Sequence, residues 1–332
     1  MERCNKFNSY REQKFYYACL IRARGYQCIK RLPKLRIFGG SIRHSRYGEK
    51  EVISIKEGRK ILSQAIKENK PFMAARFGTN EGRALFWYWQ TKVDKFKKNK
   101  NFPNRISDEL CICAGFFPNQ EKMMRKWAEL ETEACKELDV LGTMDFFSEE
   151  WIVSKLCSQA ILMPASGITP DATGWTKCLE GKKVLVIHPF AKTIEEQYFN
   201  HREEIYPGKD TLPVFDLQCI KAVQTIADEK DERFADWFEA LDYMTEEVAK
   251  KDFDVALIGC GAYGFQLASR IKKMGKVAIH MGGSLQTLFG IRGSRWDNHP
   301  KVGKNYNNAW VYPSEEETPK GFEKVEGGCY WK

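Results

Sequence analysis

Residues 254–283 read DVALIGCGAYGFQLASRIKKMGKVAIHMGG, and this stretch decides the fold. Its two short apolar runs, 254–258 and 276–280, are typical of parallel strands that are buried on both faces. A G-x-G-x-x-G turn follows the first run and opens an apparent helix, with its glycines at Gly259, Gly261 and Gly264. A strand, a tight turn, a helix and a second strand predict one right-handed βαβ unit.

The glycine turn is typical of a phosphate site. Glycine lets the backbone approach a diphosphate closely, and the helix that follows offers free N–H groups and a positive dipole. An NAD-dependent enzyme would place an acidic residue after the second strand, and methyltransferases that use S-adenosylmethionine usually do the same. This chain has HMGGS at 280–284 instead, which argues against NAD. A turn that serves only helix–sheet packing is the alternative.

The remaining chain continues the alternation of strands and helices. Further apolar runs lie at 71–77, 139–143, 183–188 and 212–215, and apolar residues recur at helical spacing through 232–250. This order predicts an α/β protein with a doubly wound, mostly parallel, Rossmann-like sheet. Ligands of such sheets bind at the carboxyl ends of the strands, so the residues that follow each strand are the candidate site residues.

The charge is concentrated at the N-terminus. Residues 1–50 hold 13 Lys and Arg against 3 Asp and Glu, whereas the other 282 residues hold 40 against 41. We therefore expect a basic, helical N-terminal extension over 1–50 and an α/β catalytic domain over 51–332. Residues 1–40 could make peripheral contact with anionic lipid, or form a solvated arm or a helix packed on the body. We expect no nucleic-acid partner, because no recognisable nucleic-acid-binding module accompanies the basic segment.

Localisation follows from the apolar segments and the cysteines. No stretch reaches the ~18 apolar residues that a membrane span needs, and the N-terminus lacks the apolar core of a signal peptide. The 11 cysteines are scattered and odd in number, which suits a reducing compartment. We expect a cytoplasmic protein, at the inner face of the membrane if the basic extension binds lipid.

A second candidate site lies at 75–82, which reads ARFGTNEG. Arg76 closes the first strand of the body, Gly78 permits a turn, and Glu81 begins a helix. An arginine and a carboxylate at the end of a strand can bind a phosphate and a metal or hydroxyl, respectively. The alternative is an Arg–Glu ion pair with an acid at a helix N-terminus.

The ARFGTNEG run resembles the S-R-F-G-D-G-E segment of the GT-D glycosyltransferases, and 256–296 is similar to the glycine-rich C-terminal half of proteins with that fold. The resemblance implies a GT-D fold, a nucleotide-sugar donor and a divalent metal, Mn²⁺ or Mg²⁺, bound by an Asp-x-Glu pair. It also implies transfer of a sugar to a glycan, lipid-linked or protein-linked acceptor in bacterial surface polysaccharide biosynthesis.

The chain departs from this pattern at Thr79, which stands where the family has its aspartate, so that only Glu81 of the pair is present. Threonine cannot replace a carboxylate as a strong ligand of these metals. Asp145 and Asp216, each just after a predicted strand, are the candidate substitutes. Otherwise the reaction runs without a tightly held metal, or this branch has lost its activity.

The candidate site residues fall into three groups. The catalytic candidates are Glu81, His188 as a base or phosphate donor, and Asp145. The nucleotide-sugar-binding candidates are Arg76, Phe77, Gly78, Thr79, Asn80, Gly259, Gly261, Tyr263, Gly264, Gly282, Gly283, Gln286, Arg292 and Arg295, the last two as cations for a diphosphate leaving group. The acceptor-side candidates are Gln197, Trp296 and Glu326.

The C-terminal residues carry Tyr330 and Trp331 beside a Gly-Gly pair, which is unusual for a frayed terminus. We expect the tail to dock back on the body and bring Glu326 near the acceptor side. Three classes of function remain open at this point: a glycosyltransferase, another NAD- or S-adenosylmethionine-dependent enzyme, and a non-catalytic binding protein that keeps a degenerate GT-D fold.

Overall fold

The computed structural model describes residues 17–19, 21, 45–94, 98–146, 149–170, 174–227, 229–299 and 301–331. Within these ranges, one parallel sheet of seven strands has the order β5-β4-β3-β9-β8-β6-β7. Its strands are β3 Phe72–Ala75, β4 Val140–Thr143, β5 Ile161–Pro164, β6 Lys183–His188, β7 Asp216–Lys221, β8 Val255–Ile258 and β9 Val277–His280. Two further strands, β1 Arg46–Tyr47 and β2 Lys50–Glu51, form a small antiparallel ribbon.

Helices flank the sheet on both faces. They are α1 Ile55–Glu68, α2 Thr79–Val93, α3 Asn104–Ala114, α4 Glu121–Ala134, α5 Glu149–Leu156, α6 Ala191–Ile205, α7 Trp237–Ala249, α8 Tyr263–Lys273, α9 Leu285–Leu288 and α10 Ser294–Asp297. The doubly wound parallel α/β fold predicted from the sequence is therefore confirmed.

Two hydrophobic layers, one on each face, enclose the sheet. Along β6, Leu185 and Ile187 join the layer that contains α2, α4, α7 and α8, whereas Val184 and Val186 join the layer that contains α1, α6 and α9. All four residues are fully buried. Burial on both faces explains why this strand reads as a continuous apolar run.

The strand predicted at 212–215 is wrong, because the strand β7 begins only at Asp216. Pro213 has no N–H for a ladder, and the hydroxyl of Tyr198 donates to the Phe215 carbonyl at 2.8 Å and accepts from its N–H at 2.7 Å. These side-chain hydrogen bonds occupy backbone groups that a strand would use. β5 was missed, because it lies at the sheet edge and its apolar run is short.

The N-terminal extension lies mostly outside the described residues. Of the part that is described, Tyr17 donates a hydrogen bond to Asp94 at 3.2 Å, and Cys19 is buried. The expected lipid contact through 1–40 falls largely on residues that are not described. None of the helices in the described ranges is long and apolar enough to cross a bilayer.

Candidate functional site

A cavity of about 470 Å³ lies at the carboxyl edge of the sheet, where β3, β9, β8 and β6 end side by side. It brings together residues from both sequence motifs and from the tail. Fifteen of the predicted site residues line it: Arg76, Gly78, Thr79, Asn80, Glu81, His188, Gly259, Gly261, Tyr263, Gly282, Gly283, Gln286, Arg295, Trp296 and Glu326.

Glu81 lies in the first turn of α2, beside the N-cap residue Gly78. Its carboxylate folds back onto Gly78, so that a Cβ there would lie 1.9 Å from Oε2 of Glu81. Burial raises the pKa of Glu81, a nearby Arg76 partly offsets this, and Glu326 adds to it. A carboxyl group with a raised pKa in a cavity is suited to accept a proton from a substrate hydroxyl.

Arg76 follows β3 and crosses to the end of β9, where its Nε donates to the carbonyl oxygen of Met281 at 3.2 Å. A Cβ at Gly282 would lie 2.1 Å from the Arg76 guanidinium, and Gly282 has a positive φ of 58°. Glycine is required there on both counts. The loop after β9 thus leaves room for the guanidinium group of Arg76, whose positive charge lies near Glu81.

The glycine turn after β8 is held against the end of α3. Gly261 has a φ of 56°, and a Cβ on it would lie 2.5 Å from the carbonyl oxygen of Ala114. The same oxygen accepts a hydrogen bond of 2.8 Å from Ala262. Gly259 and Gly261 line the cavity, so the turn can bring backbone close to a phosphate.

Gly264 has a different role from the one expected, because it does not line the cavity. A Cβ at this position would lie 2.4 Å from Nε2 of His280, so the third glycine permits close packing of α8 on β9. Phe77 also lies behind the cavity wall, where it is buried and stacks on Phe265 with ring centroids 4.8 Å apart.

His188 ends β6 and lines the cavity. Its Nδ1 accepts a hydrogen bond of 3.0 Å from the backbone N–H of Phe190, and burial lowers its pKa to about 3. The ring is therefore neutral near pH 7 and carries its proton on Nε2. Of the two roles considered, this arrangement favours a hydrogen-bond donor to phosphate and disfavours a base.

The C-terminal residues form one wall of the cavity. The backbone N–H of Arg295 donates to the Cys329 carbonyl at 3.1 Å, and Nε2 of Gln286 donates to the Tyr330 carbonyl at 3.1 Å. The guanidinium of Arg295 also donates to the carboxylate of Glu326. Gln286 is fully buried, and its hydrogen bond to Tyr330 stabilises this wall.

Of the three acids expected at the reaction centre, Glu81, Asp145 and Asp216, the last two lie elsewhere. Asp145 does not line the cavity, because its carboxylate accepts a hydrogen bond of 2.9 Å from Tyr47, which also donates to Glu149 at 2.8 Å. Asp216 is the first residue of β7 and is exposed at the amino edge of the sheet, opposite the cavity. Its expected position depended on the wrong strand at 212–215.

Gln197 and Arg292 are also away from the cavity. Nε2 of Gln197 donates to the carbonyl of Ala309 at 2.7 Å, so this buried amide ties α6 to the C-terminal segment. The guanidinium of Arg292 packs on Tyr306 and Tyr312, 4.8 and 4.9 Å from their ring centroids. Both side chains are away from the cavity for the same reason: a polar side chain can hydrogen-bond to nearby backbone or pack on an aromatic ring instead of facing a ligand.

Sequence reasoning missed several lining residues, among them His280, Cys113, Gln224 and Ser284. His280 could have been found, since it ends β9 as His188 ends β6. Cys113 and Gln224 come from α3 and from the segment after β7, and no local pattern marks them.

The lining residues do not fit a divalent metal. Thr79 replaces one carboxylate, neither Asp145 nor Asp216 reaches the cavity, and Glu326 is paired with Arg295. Among the described residues, no group of three or more His, Cys, Asp or Glu side chains is arranged to hold a metal ion. The cavity instead presents the guanidinium group of Arg76, which can neutralise a diphosphate, and that of Arg295, whose charge is partly balanced by Glu326.

The chain is similar to one family model and to two solved structures. Residues 171–288 match the family model of the GT-D fold-like domain. Two solved structures, the domain of unknown function 1792, described as having a distinct glycosyltransferase fold, and its selenomethionine-substituted form, are similar at 13% identity. Each comparison covers 82% of this chain and 94% of the other, with a TM-score of 0.44. No curated protein sequence matches the chain.

Proposed function

We propose that this chain, which carries a GT-D-like domain over residues 171–288, is a glycosyltransferase that moves a sugar from a nucleotide sugar to an acceptor hydroxyl. One observation supports this most directly. Arg76 and Glu81, from a motif outside the matched region, line the same cavity as the glycine turn of the matched region. A glycine turn that lets backbone approach a phosphate, two arginines and a half-buried carboxylate are groups that such a transfer can use.

The reaction can be assigned to these residues as follows. The carboxylate of Glu81 takes the proton of the acceptor hydroxyl while the oxygen of that hydroxyl bonds to the anomeric carbon of the donor sugar. The bond between that carbon and the diphosphate oxygen breaks, and the nucleoside diphosphate leaves with the electron pair. Arg76, Arg295 and the Nε2–H of His188 stabilise the negative charge that develops on the leaving group.

The acceptor belongs to the same proposal. We place the reaction in the assembly of a bacterial surface glycan, on a glycan, lipid-linked or protein-linked acceptor, at the cytoplasmic face of the membrane. The excess of 13 basic over 3 acidic residues in 1–50 supports contact with anionic lipid. Sedimentation with vesicles of phosphatidylglycerol, against phosphatidylcholine vesicles, tests this contact in the full chain and in a chain lacking 1–40.

Thermal melting against a panel of nucleotide sugars and nucleoside diphosphates, with NAD and S-adenosylmethionine included, tests the donor. A ligand at about 100 times its Kd stabilises a protein by ~2.7 kcal/mol, which raises Tm by a few degrees. We expect a shift with one class of nucleotide sugar, and we expect Arg76→Gln to lose it. Arg83→Gln is the matched control, since Arg83 is exposed on α2 and pairs with Glu109.

A shift with NAD or S-adenosylmethionine alone would replace the transferase with another nucleotide-dependent enzyme. No shift with any member of the panel would favour a non-catalytic protein. A shift that Arg76→Gln leaves intact would move the donor away from this cavity.

A further inference from the structure

A second groove lies beside the cavity, at the carboxyl end of β7. Its volume is about 690 Å³. Val223 and Gln224 line both the groove and the cavity. The short segment 223–224 after β7 therefore borders both spaces, so the groove and the cavity are neighbours.

Four parts of the chain form the walls of this groove. The end of β7 and the residues after it contribute 219–224, and the helix α7 contributes Tyr243 and Glu247, with Lys251 just beyond its end. The loop after β7 contributes Glu229, Asp231 and Arg233, and the C-terminal segment contributes Glu316, Thr318, Pro319 and Lys320. The lining mixes charged and polar side chains with the apolar residues Ile220, Ala222, Val223 and Pro319. Because Ile220, Ala222 and Val223 are buried, they expose no wide apolar strip along the described lining, and the groove does not suit an acyl chain.

The charges along the groove balance. Its lining includes four cationic side chains, Lys221, Arg233, Lys251 and Lys320, and four anionic ones, Glu229, Asp231, Glu247 and Glu316. A polyanion such as a nucleic acid would meet as many repulsive as attractive groups here. Neutral sugars suit this lining, because each hydroxyl both donates and accepts hydrogen bonds and can use ammonium and carboxylate groups in turn.

Hydrogen bonds hold much of the lining in place. Arg233 donates to both carboxylate oxygens of Asp231, at 2.9 and 2.6 Å, and its guanidinium lies 5.2 Å from the ring centroid of Tyr243. Glu229 accepts from the backbone N–H of Lys320 at 3.0 Å, which joins the loop to the C-terminal segment. A lining that is already ordered loses less conformational entropy when it binds a ligand.

We propose that this groove binds the sugar units of a neutral oligosaccharide acceptor and that Gln224 positions the terminal unit at the entrance to the cavity. The proposal rests on the proposed function, since it gives the acceptor of that reaction its place. Gln224 is half-buried and its amide offers two donors and an acceptor, which matches the hydroxyls of a sugar ring. Glu247, whose Oε1 accepts from Lys250, keeps its other carboxylate oxygen for hydroxyls further along the groove.

The test compares Gln224→Ala and Glu247→Ala with Glu246→Ala. Glu246 is the residue of α7 before Glu247, is exposed and does not line the groove, so its variant controls for the loss of a helix carboxylate. The probes are neutral p-nitrophenyl glycosides of one to three hexose or N-acetylhexosamine units. Calorimetry measures their binding, and nucleoside diphosphate release measures transfer and donor hydrolysis.

We expect trisaccharides to bind more tightly than monosaccharides, and each groove variant to raise the trisaccharide Kd or KM about tenfold, as the loss of one or two hydrogen bonds predicts. Donor hydrolysis without acceptor should not change in Glu247→Ala, and Glu246→Ala should behave as the wild type does. Groove variants that bind the trisaccharide as the wild type does would overturn the proposal. So would a wild type that binds none of these neutral probes.

The two proposals fail in distinguishable ways. If the wild type binds a trisaccharide in the groove but neither binds nor hydrolyses a nucleotide sugar, the acceptor site stands as an oligosaccharide-binding site and the transferase function fails. If it hydrolyses a nucleotide sugar and ignores every oligosaccharide, the transferase function stands and the groove proposal fails.

Discussion

Nδ1 of His188 accepts a hydrogen bond of 3.0 Å from the backbone N–H of Phe190, which holds the ring as the tautomer with its proton on Nε2. Burial lowers the pKa of this ring to about 3, from an ordinary value of 6.5. The ring therefore stays neutral from pH 5 to 8 and offers one N–H to the cavity. In the proposed reaction, this relationship leaves Glu81 as the proton acceptor and His188 as a hydrogen-bond donor to the leaving phosphate.

His188→Ala should lower kcat/KM for the donor about 10- to 100-fold, because hydrogen bonds to charged groups contribute ~1.5–3 kcal/mol. The shape of the pH profile between pH 5 and 8 should not change, since the ring does not titrate there. Steady-state rates across this pH range measure both effects, and His188→Gln, which keeps an N–H donor, should recover part of the rate. An acidic limb that disappears in His188→Ala would show instead that the ring is a base.

Gly261→Ala should destabilise the protein more than Gly208→Ala does. Both glycines have positive φ, 56° and 68°, so both variants carry the ~1–2 kcal/mol cost of a left-handed residue. Only at Gly261 does the new Cβ also meet a backbone oxygen, that of Ala114 at 2.5 Å, whereas nothing lies within 4 Å at Gly208. Urea unfolding should give a further ~1–3 kcal/mol for Gly261→Ala. Equal losses of unfolding free energy in the two variants would mean that the turn at Gly261 can move away from α3 at little cost.

Trp331→Ala should cost ~3–5 kcal/mol of unfolding free energy, the usual range for a large buried aromatic residue. Trp331 is 2% exposed, packs on Phe190 and Phe322, and donates from its indole to the Glu317 carbonyl at 3.2 Å. Phe199→Ala is the control, because Phe199 is 67% exposed and should change stability by less than ~0.5 kcal/mol. A similar small effect at Trp331 would show that the tail is not anchored to the body.

Removal of divalent metal should leave the reaction nearly unchanged. Thr79 supplies no carboxylate, and the two arginines that line the cavity supply the positive charge. Donor hydrolysis should therefore change less than twofold in EDTA or on addition of Mn²⁺. A loss of more than tenfold in EDTA that Mn²⁺ restores would mean that Glu81 finds a second ligand on the bound substrate.

The sequence predicted the centre of the sheet better than its edges. β6 and β8 are buried on both faces and read as continuous apolar runs, whereas the edge strands β5 and β7 do not. The run at 212–215 was misleading because Leu212 and Phe215 are buried without forming a strand, and the Tyr198 hydroxyl takes up the backbone groups of Phe215. The error then placed Asp216 at the wrong edge.

The site was predictable where a residue directly follows a strand, as at Arg76, His188, Gly259 and Gly282. It was not predictable where contacts join distant segments, as in the pair of Arg295 and Glu326 or the binding of Asp145 by Tyr47. No spacing in the chain reports such contacts, because packing of separate elements determines them. Thr79 is read directly from the sequence, and that the reaction needs no tightly held metal stays a prediction.

The central claim is that Glu81 accepts the proton in a sugar transfer from a nucleotide sugar. The most direct measurement is nucleoside diphosphate release by the wild type and by Glu81→Gln, with the donor that stabilises the protein in the melting panel. We predict that the variant binds the donor with a similar Kd and releases product ~10²–10⁴-fold more slowly, the range for loss of a positioned base. Release at the wild-type rate by Glu81→Gln, or no release by the wild type with any donor, would contradict it.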